Sequence, residues 1–197
     1  MTPGSIIQVR GASGSGKTTL VRDAMAALGG PWVRVIPKVD QPRRKPMFLL
    51  NPNLNLPKAV IGHYDVTCGG VDTIKHLGRP HELAYELAQD GCDVLMEGLW
   101  ASVEVHASAG QAERHGIRRH EVFVHVPVEV CRASVDARRA AEGKQVREQR
   151  QMAGFHGRVA RTEERIRALG SPLITIHSCQ GREEARQVLH NLLLDRG

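Results

Sequence analysis

The chain has 197 residues, 41% of them hydrophobic, with 27 Lys and Arg against 21 Asp and Glu for a formal net charge of +6. That apolar share excludes wholesale disorder, and the length suits one domain spanning 1–197. Only three Phe, two Tyr and two Trp are present, which excludes a multi-aromatic base-stacking platform.

In chain order, Met1 to Ser5 carries no signal-peptide pattern, and Ser5 to Val9 reads as a buried strand. Gly11-Ala12-Ser13-Gly14-Ser15-Gly16-Lys17-Thr18 follows at once and matches GxxxxGK[ST] at every fixed position. The glycines let the backbone wrap phosphate oxygens with its N–H groups turned inward, and the helix that starts near Gly16 aims its positive end at the anion. Lys17 reaches the β- and γ-phosphates, the Thr18 hydroxyl suits Mg²⁺, and Thr19 completes the cradle. Leu20, Val21, Ala24 and Leu28 keep helical spacing until Gly29-Gly30. Trp32 to Ile36 reads as a short strand, and Pro37 to Pro57 as mostly loop, interrupted by Met47 to Leu50.

Ala59 to Gly62 is a further strand, leading into His63-Tyr64-Asp65 and the glycine-paired loop Cys68-Gly69-Gly70-Val71-Asp72. A kinase needs a carboxylate beside the attacking hydroxyl. Asp65 stands at a strand end, Asp72 follows the glycines, and Asp40 is the weakest candidate. Tyr64, Gly69, Gly70 and Asp72 are candidate acceptor contacts, with Tyr64 offering either a stacking ring or plain packing. Pro80 to Gln89 reads as a helix and Cys92 to Met96 as a strand whose carboxyl end carries Glu97. In a parallel sheet that end faces the ligand crevice, so Glu97 can hold the Mg²⁺ shell, directly or through water, or orient the acceptor. Asp93, at the far end of the same strand, reads as structural.

Ser102 to His115 reads as helix, Val122 to Val126 as strand, and Glu129 to Glu142 as an arginine-rich helix. Gly143 to Gly157 reads as polar and flexible, Val159 to Leu169 as helix, Leu173 to Ile176 as strand, and Arg182 to Leu194 as a closing helix. Arg132 and Arg139 are seven apart and share a helical face beside Arg138. Such arginines on a lid over about 132–157 neutralise charge on a transferring phosphoryl group. His125 reads as a hydrogen-bonded core residue. The alternation of strands and helices predicts an α/β, P-loop NTPase three-layer sandwich: a mostly parallel sheet, helices on both faces and an Arg-rich lid.

The charge is concentrated. Arg34 to Lys58 carries six basic residues and one acid, and Arg132 to Arg167 carries ten and five, so the remainder is acidic on balance. Two basic segments suit a polyanion, with Arg43, Arg44 and Lys45 on the acceptor side. No apolar run approaches the ~20 residues that span a bilayer. The four cysteines form no zinc or CxxC spacing and read as reduced thiols, so a cytoplasmic chain without membrane partners is expected.

The Walker loop, the Glu97-Gly98 strand end and the Arg138-Arg139 lid resemble the nucleoside- and nucleotide-kinase branch of P-loop proteins. The run Gly62-His63-Tyr64-Asp65-Val66-Thr67-Cys68-Gly69-Gly70-Val71-Asp72-Thr73-Ile74 is similar to a motif of bacteriophage P-loop kinases linked to DNA hypermodification, a family that includes 5-hydroxymethyluracil DNA kinases. The resemblance spans roughly Ile6 to Arg150. It implies ATP and Mg²⁺ as cofactors, DNA containing 5-hydroxymethyluracil as partner, and, for a phage protein, the host cytoplasm as location. The catalytic set is then Lys17, Asp65, Glu97, Arg138 and Arg139; the resemblance assigns no base, which stays open among Asp65, Glu97 and Asp72, with Asp65 resting on its place at a strand end. Kinases of a free nucleoside, nucleotide or sugar acid share the loop and are separated from a DNA kinase by the Arg34–Lys58 segment, whereas a nucleotide-gated binding module would bind ATP and phosphorylate no acceptor.

Overall fold

Strand β1 (Ile6–Gly11) is buried along its whole length and is flanked on both edges by parallel strands, β5 (Asp93–Glu97) and β6 (Arg119–His125). In the computed structural model, β4 (Lys58–Ile61) pairs parallel to β5 and β7 (Ile174–Gln180) parallel to β6. Beyond β4 lie β3 (Phe48–Asn51) and β2 (Val33–Val35), joined by antiparallel ladders, so the order is β2-β3-β4-β5-β1-β6-β7. The structure describes residues 2–35, 48–52, 54, 57–64, 70–71, 74, 79–98, 110–145 and 149–194, with backbone alone at 48 and 149–152.

Both faces of the sheet are covered, as expected from strands that are apolar at successive positions. On one face Ile7, Val9, Leu95 and Val122 meet Leu20 and Val21 of α1 (Lys17–Leu28) and Ala185, Leu189 and Leu193 of α5 (Arg182–Leu194). On the other, Ile6, Ala59, Ile61, Val94 and Met96 meet Leu83, Ala84 and Ala88 of α2 (Arg79–Gln89). Helices α3 (Val128–Ala141) and α4 (Gln149–Ala168) form a packed pair between β6 and β7. The result is the three-layer α/β sandwich. Pro80 sits in the first turn of α2, where its missing N–H costs nothing, and Glu82 in that turn complements the helix dipole.

Three elements differ from the sequence reading. Strand β6 begins at Arg119 rather than Val122 because its charged residues are internally matched. Arg10 Nε donates to Glu121 Oε2 (2.6 Å), Arg119 Nη2 donates to Glu121 Oε1 (2.8 Å) and to Gln8 Oε1 (2.7 Å), and Arg119 Nη1 reaches the Tyr85 hydroxyl (3.1 Å). Both arginines are fully buried. Burial acts to raise the Glu121 pKa, but the two guanidinium groups outweigh it and hold the carboxyl at about 2.

Helix α4 starts at Gln149, so it takes in the last nine residues of the stretch expected to be flexible through Gly157. Gly154 and Gly157 each cost a helix roughly 1 kcal/mol. Phe155, packed against the core with the Arg158 guanidinium 4.7 Å over its ring, offsets that cost. Strand β7 runs on to Gln180, past its expected end at Ile176. Of the helix expected over Ser102 to His115, the described part is helical at 110–115.

Asp93 is structural, as read. Its carboxylate takes the Ser5 amide and hydroxyl (both 2.8 Å) and the Lys58 ammonium (2.6 Å), and the group is 2% exposed. Burial acts to raise its pKa, and Lys58 outweighs that and lowers it.

Candidate active site

The phosphate loop leaves the carboxyl end of β1 and turns into α1 at Gly16. Lys17 Nζ lies in its mouth, donating to the carbonyls of Gly11 (3.0 Å) and Ala12 (3.1 Å). Gly14 has a φ of +87°, and a Cβ there would come 2.2 Å from the Cys131 carbonyl oxygen. Only glycine therefore lets helix α3 lean on the loop. The Cys131 thiol is pushed up by burial, opposed by the charges of Lys17 and Arg182, which marks how close both cations are.

Because β5 is hydrogen-bonded to β1, with Glu97 opposite Val9, the Glu97 carboxylate falls beside the first turn of α1. There Thr18 Oγ1 donates to Glu97 Oε1 at 2.5 Å, with Glu97 only 3% exposed. A hydroxyl and a carboxylate oxygen side by side form a hard-oxygen pair that would suit Mg²⁺.

Gly70 lies over the same carboxylate. His63 and Gly70 form a bridge, the Gly70 amide donating to the His63 carbonyl (3.1 Å). Gly70 has a φ of +89° and lies flat on Glu97, so that a Cβ there would be 2.8 Å from its Cγ. The loop's glycine is thus a packing requirement of the acid beneath it. Gly69, Asp65 and Asp72, together with Asp40, Arg43, Arg44 and Lys45, lie outside the described residues.

Tyr64, read as a possible stacking ring, is instead 7% exposed within the core cluster, its hydroxyl 3.4 Å from the Ile61 carbonyl. Its ring packs, and its carbonyl accepts Arg22 Nε (3.1 Å) and Nη2 (2.9 Å). Lys58 also leaves the basic segment in which it was counted, since it is buried on Asp93 at the amino end of β5.

The arginines expected on a lid sit on α3. Arg132 pairs with Asp136 (3.4 Å) and is 45% exposed, while Arg139 Nε donates to the Gln145 carbonyl. Cys131 and Val135 are the α3 residues beside Gly14. Arg138 lies seven and three residues beyond them, on the same helical face, whereas Arg132 is a quarter-turn away.

Two arginines escaped the sequence reading. Arg22 follows Thr18 by one helical turn, a spacing that turns both toward the β4–β5 crevice. Arg182, which opens the closing helix with one residue between it and the last strand, donates from Nε to the Ser15 carbonyl (3.0 Å) and from Nη2 to the Gly14 carbonyl (3.2 Å). It draws two loop carbonyls outward, which leaves the neighbouring amides for the anion. The position of Arg182 after a strand end was the available signal.

No protein-family model matches the chain. Among solved structures, a protein designated APE1195 superposes with a TM-score of 0.44 at 19% identity, covering 73% of this chain and 74% of that one. The tunicamycin resistance protein of Deinococcus radiodurans gives 0.43 at 11% identity over 98% and 96%. Among curated proteins, the 5-hmdU DNA kinase of Pseudomonas phage PaMx11 is 37% identical over 138 residues, 70% of each chain. The 5-hmdU DNA kinase of Pseudomonas phage M6 is 30% identical over 193 residues, 94% of this chain and 98% of that protein. With its phosphate loop, its Thr18–Glu97 pair and identity of this extent, the chain belongs to the 5-hmdU DNA kinase family.

Proposed function

We propose that the chain transfers the γ-phosphoryl group of ATP to the hydroxymethyl oxygen of 5-hydroxymethyluracil in DNA. It would act as a single kinase unit in the cytoplasm of an infected host. The observation that carries this reading is the stack of Thr18, Glu97 and Gly70, which joins the nucleotide loop to the family's acceptor-side motif at one carboxylate. Family membership supports both the kinase chemistry and the DNA acceptor.

In this mechanism the loop amides and Lys17 hold the β- and γ-phosphates. Bound Mg²⁺ supplies charge neutralisation on those oxygens, with Thr18 and Glu97 as its protein partners. The acceptor oxygen bonds to the γ-phosphorus as the bond to the β-phosphate oxygen breaks, and ADP leaves. The hydroxyl proton passes to a carboxylate. Glu97 is engaged with Thr18, so Asp65 and Asp72, on either side of Gly70 in the sequence, are the groups proposed for that proton. Arg138, on the loop-facing side of α3, carries the charge on the transferring group, with Arg139 and Arg132 supporting it. A target base in duplex is extruded at a cost of a few kcal/mol.

The test is incubation with γ-labelled ATP and Mg²⁺ against hydroxymethyluracil DNA, unmodified DNA and free hydroxymethyl-dUMP. Label on the modified DNA is expected. Label on the free nucleotide alone overturns the DNA assignment, and no transfer to any acceptor overturns the kinase.

A further inference from the structure

Helix α4 carries a row of arginines that the phosphoryl-transfer chemistry does not use. Arg158, Arg161 and Arg165 are all exposed, and at about 100° per residue they fall within about 60° of one another on the helix. None pairs with a carboxylate among the described residues. The two glutamates of this stretch lie off the row: Glu163 faces inward to His125, Ser178 and Arg167, and Glu164 stands at its margin. Arg158 is held in place, its guanidinium 4.7 Å over the Phe155 ring and its Nε 3.4 Å from the Gly154 carbonyl. Gly154 continues the row one turn earlier, with open space where a side chain would stand.

The row also lies at the catalytic end of the molecule. Glu163 bonds to His125, the last residue of β6, so α4 is level with the carboxyl ends of the strands at that point. The fourteen helical residues before Glu163 extend about 21 Å along the axis at 1.5 Å each, alongside the helix α3 that leans on Gly14. His156, in that extension, faces Glu129 of α3.

We propose that this face of α4 is a docking surface for the phosphate backbone of the DNA substrate. This rests on the reading of the acceptor as DNA. Three cations spread over about 10 Å of axis match the run of about three phosphates along one strand of a duplex. Arginine is suited to the contact because its planar fork meets phosphate oxygens in pairs and stays charged. The surface binds without reading sequence. It holds the strand while the target base enters the active site.

The experiment measures binding of hydroxymethyluracil DNA between 50 and 200 mM salt for the wild type, for R158Q/R161Q/R165Q, and for R114Q/R118Q. The second set removes exposed charge at the opposite, amino end of β6. Each lost phosphate contact lowers the salt slope by about 0.7 for single strands or 0.9 for duplex, so wild-type affinity should fall about 20- to 40-fold more steeply across this range than that of the α4 triple variant. The R114Q/R118Q slope should equal the wild type. Thermal midpoints of all three proteins verify folding, and an R158K/R161K/R165K protein, which keeps charge, should recover most of the slope. If the wild type labels hydroxymethyluracil DNA yet the α4 triple variant keeps its slope, the surface is refuted and the kinase assignment stands. If the wild type labels only free hydroxymethyl-dUMP, both fall.

Discussion

Replacing Gly70 by alanine tests whether the backbone of Gly70 positions Glu97, the acid proposed to face Mg²⁺. The backbone there has a φ of +89°, so an L side chain costs roughly 1–2 kcal/mol in stability from conformation alone. The added Cβ would also lie 2.8 Å from Glu97 Cγ and 2.9 Å from its Cδ and its carbonyl oxygen. Ordinary contact begins near 3.4 Å, so Glu97 or the loop must move by about 0.6 Å. That displacement is large against the 2.5 Å hydrogen bond to Thr18. Misplacement of a catalytic group by ~1 Å costs on the order of 10²-fold, so a loss of about 10- to 100-fold in kcat is expected, with a raised Mg²⁺ requirement. Gly170 is the control. It too has positive φ (+60°), but nothing lies within 4 Å of its Cβ position. Steady-state phosphorylation of hydroxymethyluracil DNA across a Mg²⁺ titration, beside thermal unfolding, separates the two effects. Gly70→Ala should lose at least as much stability as Gly170→Ala, because it adds the clash to the cost of positive φ, and only Gly70→Ala should lose rate. Equal rates and equal Mg²⁺ midpoints in the two variants would refute the proposed contact between loop and acid.

Lys58→Met should destabilise the fold by about 3–5 kcal/mol, because it leaves Asp93 buried without its cation, while the salt dependence of DNA binding stays as in the wild type. A weakened salt slope would return Lys58 to the DNA-binding set. Glu121, held at about 2 against an ordinary 4.5, contributes stability that is complete above pH 4.5 and is lost as pH falls toward 2. Chemical denaturation between pH 2 and 5 should therefore show a flatter pH profile for Glu121→Gln, on top of an overall loss from two buried arginines deprived of their carboxylate. Arg182→Ala should raise the KM for ATP about tenfold, from the loss of two charge-assisted bonds to the loop, and Arg182→Lys should recover part of it. An unchanged KM in both would remove Arg182 from the loop's support.

The parts of the site that depend on short stretches of chain were readable in advance. The phosphate loop is one continuous octapeptide, and Glu97 is marked by ending an apolar strand, so both could be located from local pattern alone. What crosses the molecule was not readable. Lys58 looked like part of a basic run because its partner, Asp93, is 35 positions away. The charges of β6 hid its first three residues, since Glu121 meets Arg10 from a strand 111 positions earlier. Helix α4 was obscured by Gly154 and Gly157, whose local cost is overcome by tertiary packing of Phe155. Tyr64 was ambiguous for the same reason, because burial decides between a stacking ring and a core ring and burial is not a local property.

The central position of β1 also bears on how the protein is made. The strand that ends in the phosphate loop leaves the ribosome before both of its partners, Asp93–Glu97 and Arg119–His125. At about 5–20 residues per second, the wait for the second partner is roughly 6–23 s. Until Asp93–Glu97 is made this strand has two open edges and no native neighbour, and one edge stays open until Arg119–His125 follows, while β3 and β4 can already pair with each other through a short connection. Folding during synthesis therefore starts at the β3–β4 edge and reaches the catalytic centre late, so slow elongation or a truncated product exposes the nucleotide-binding strand to misassembly.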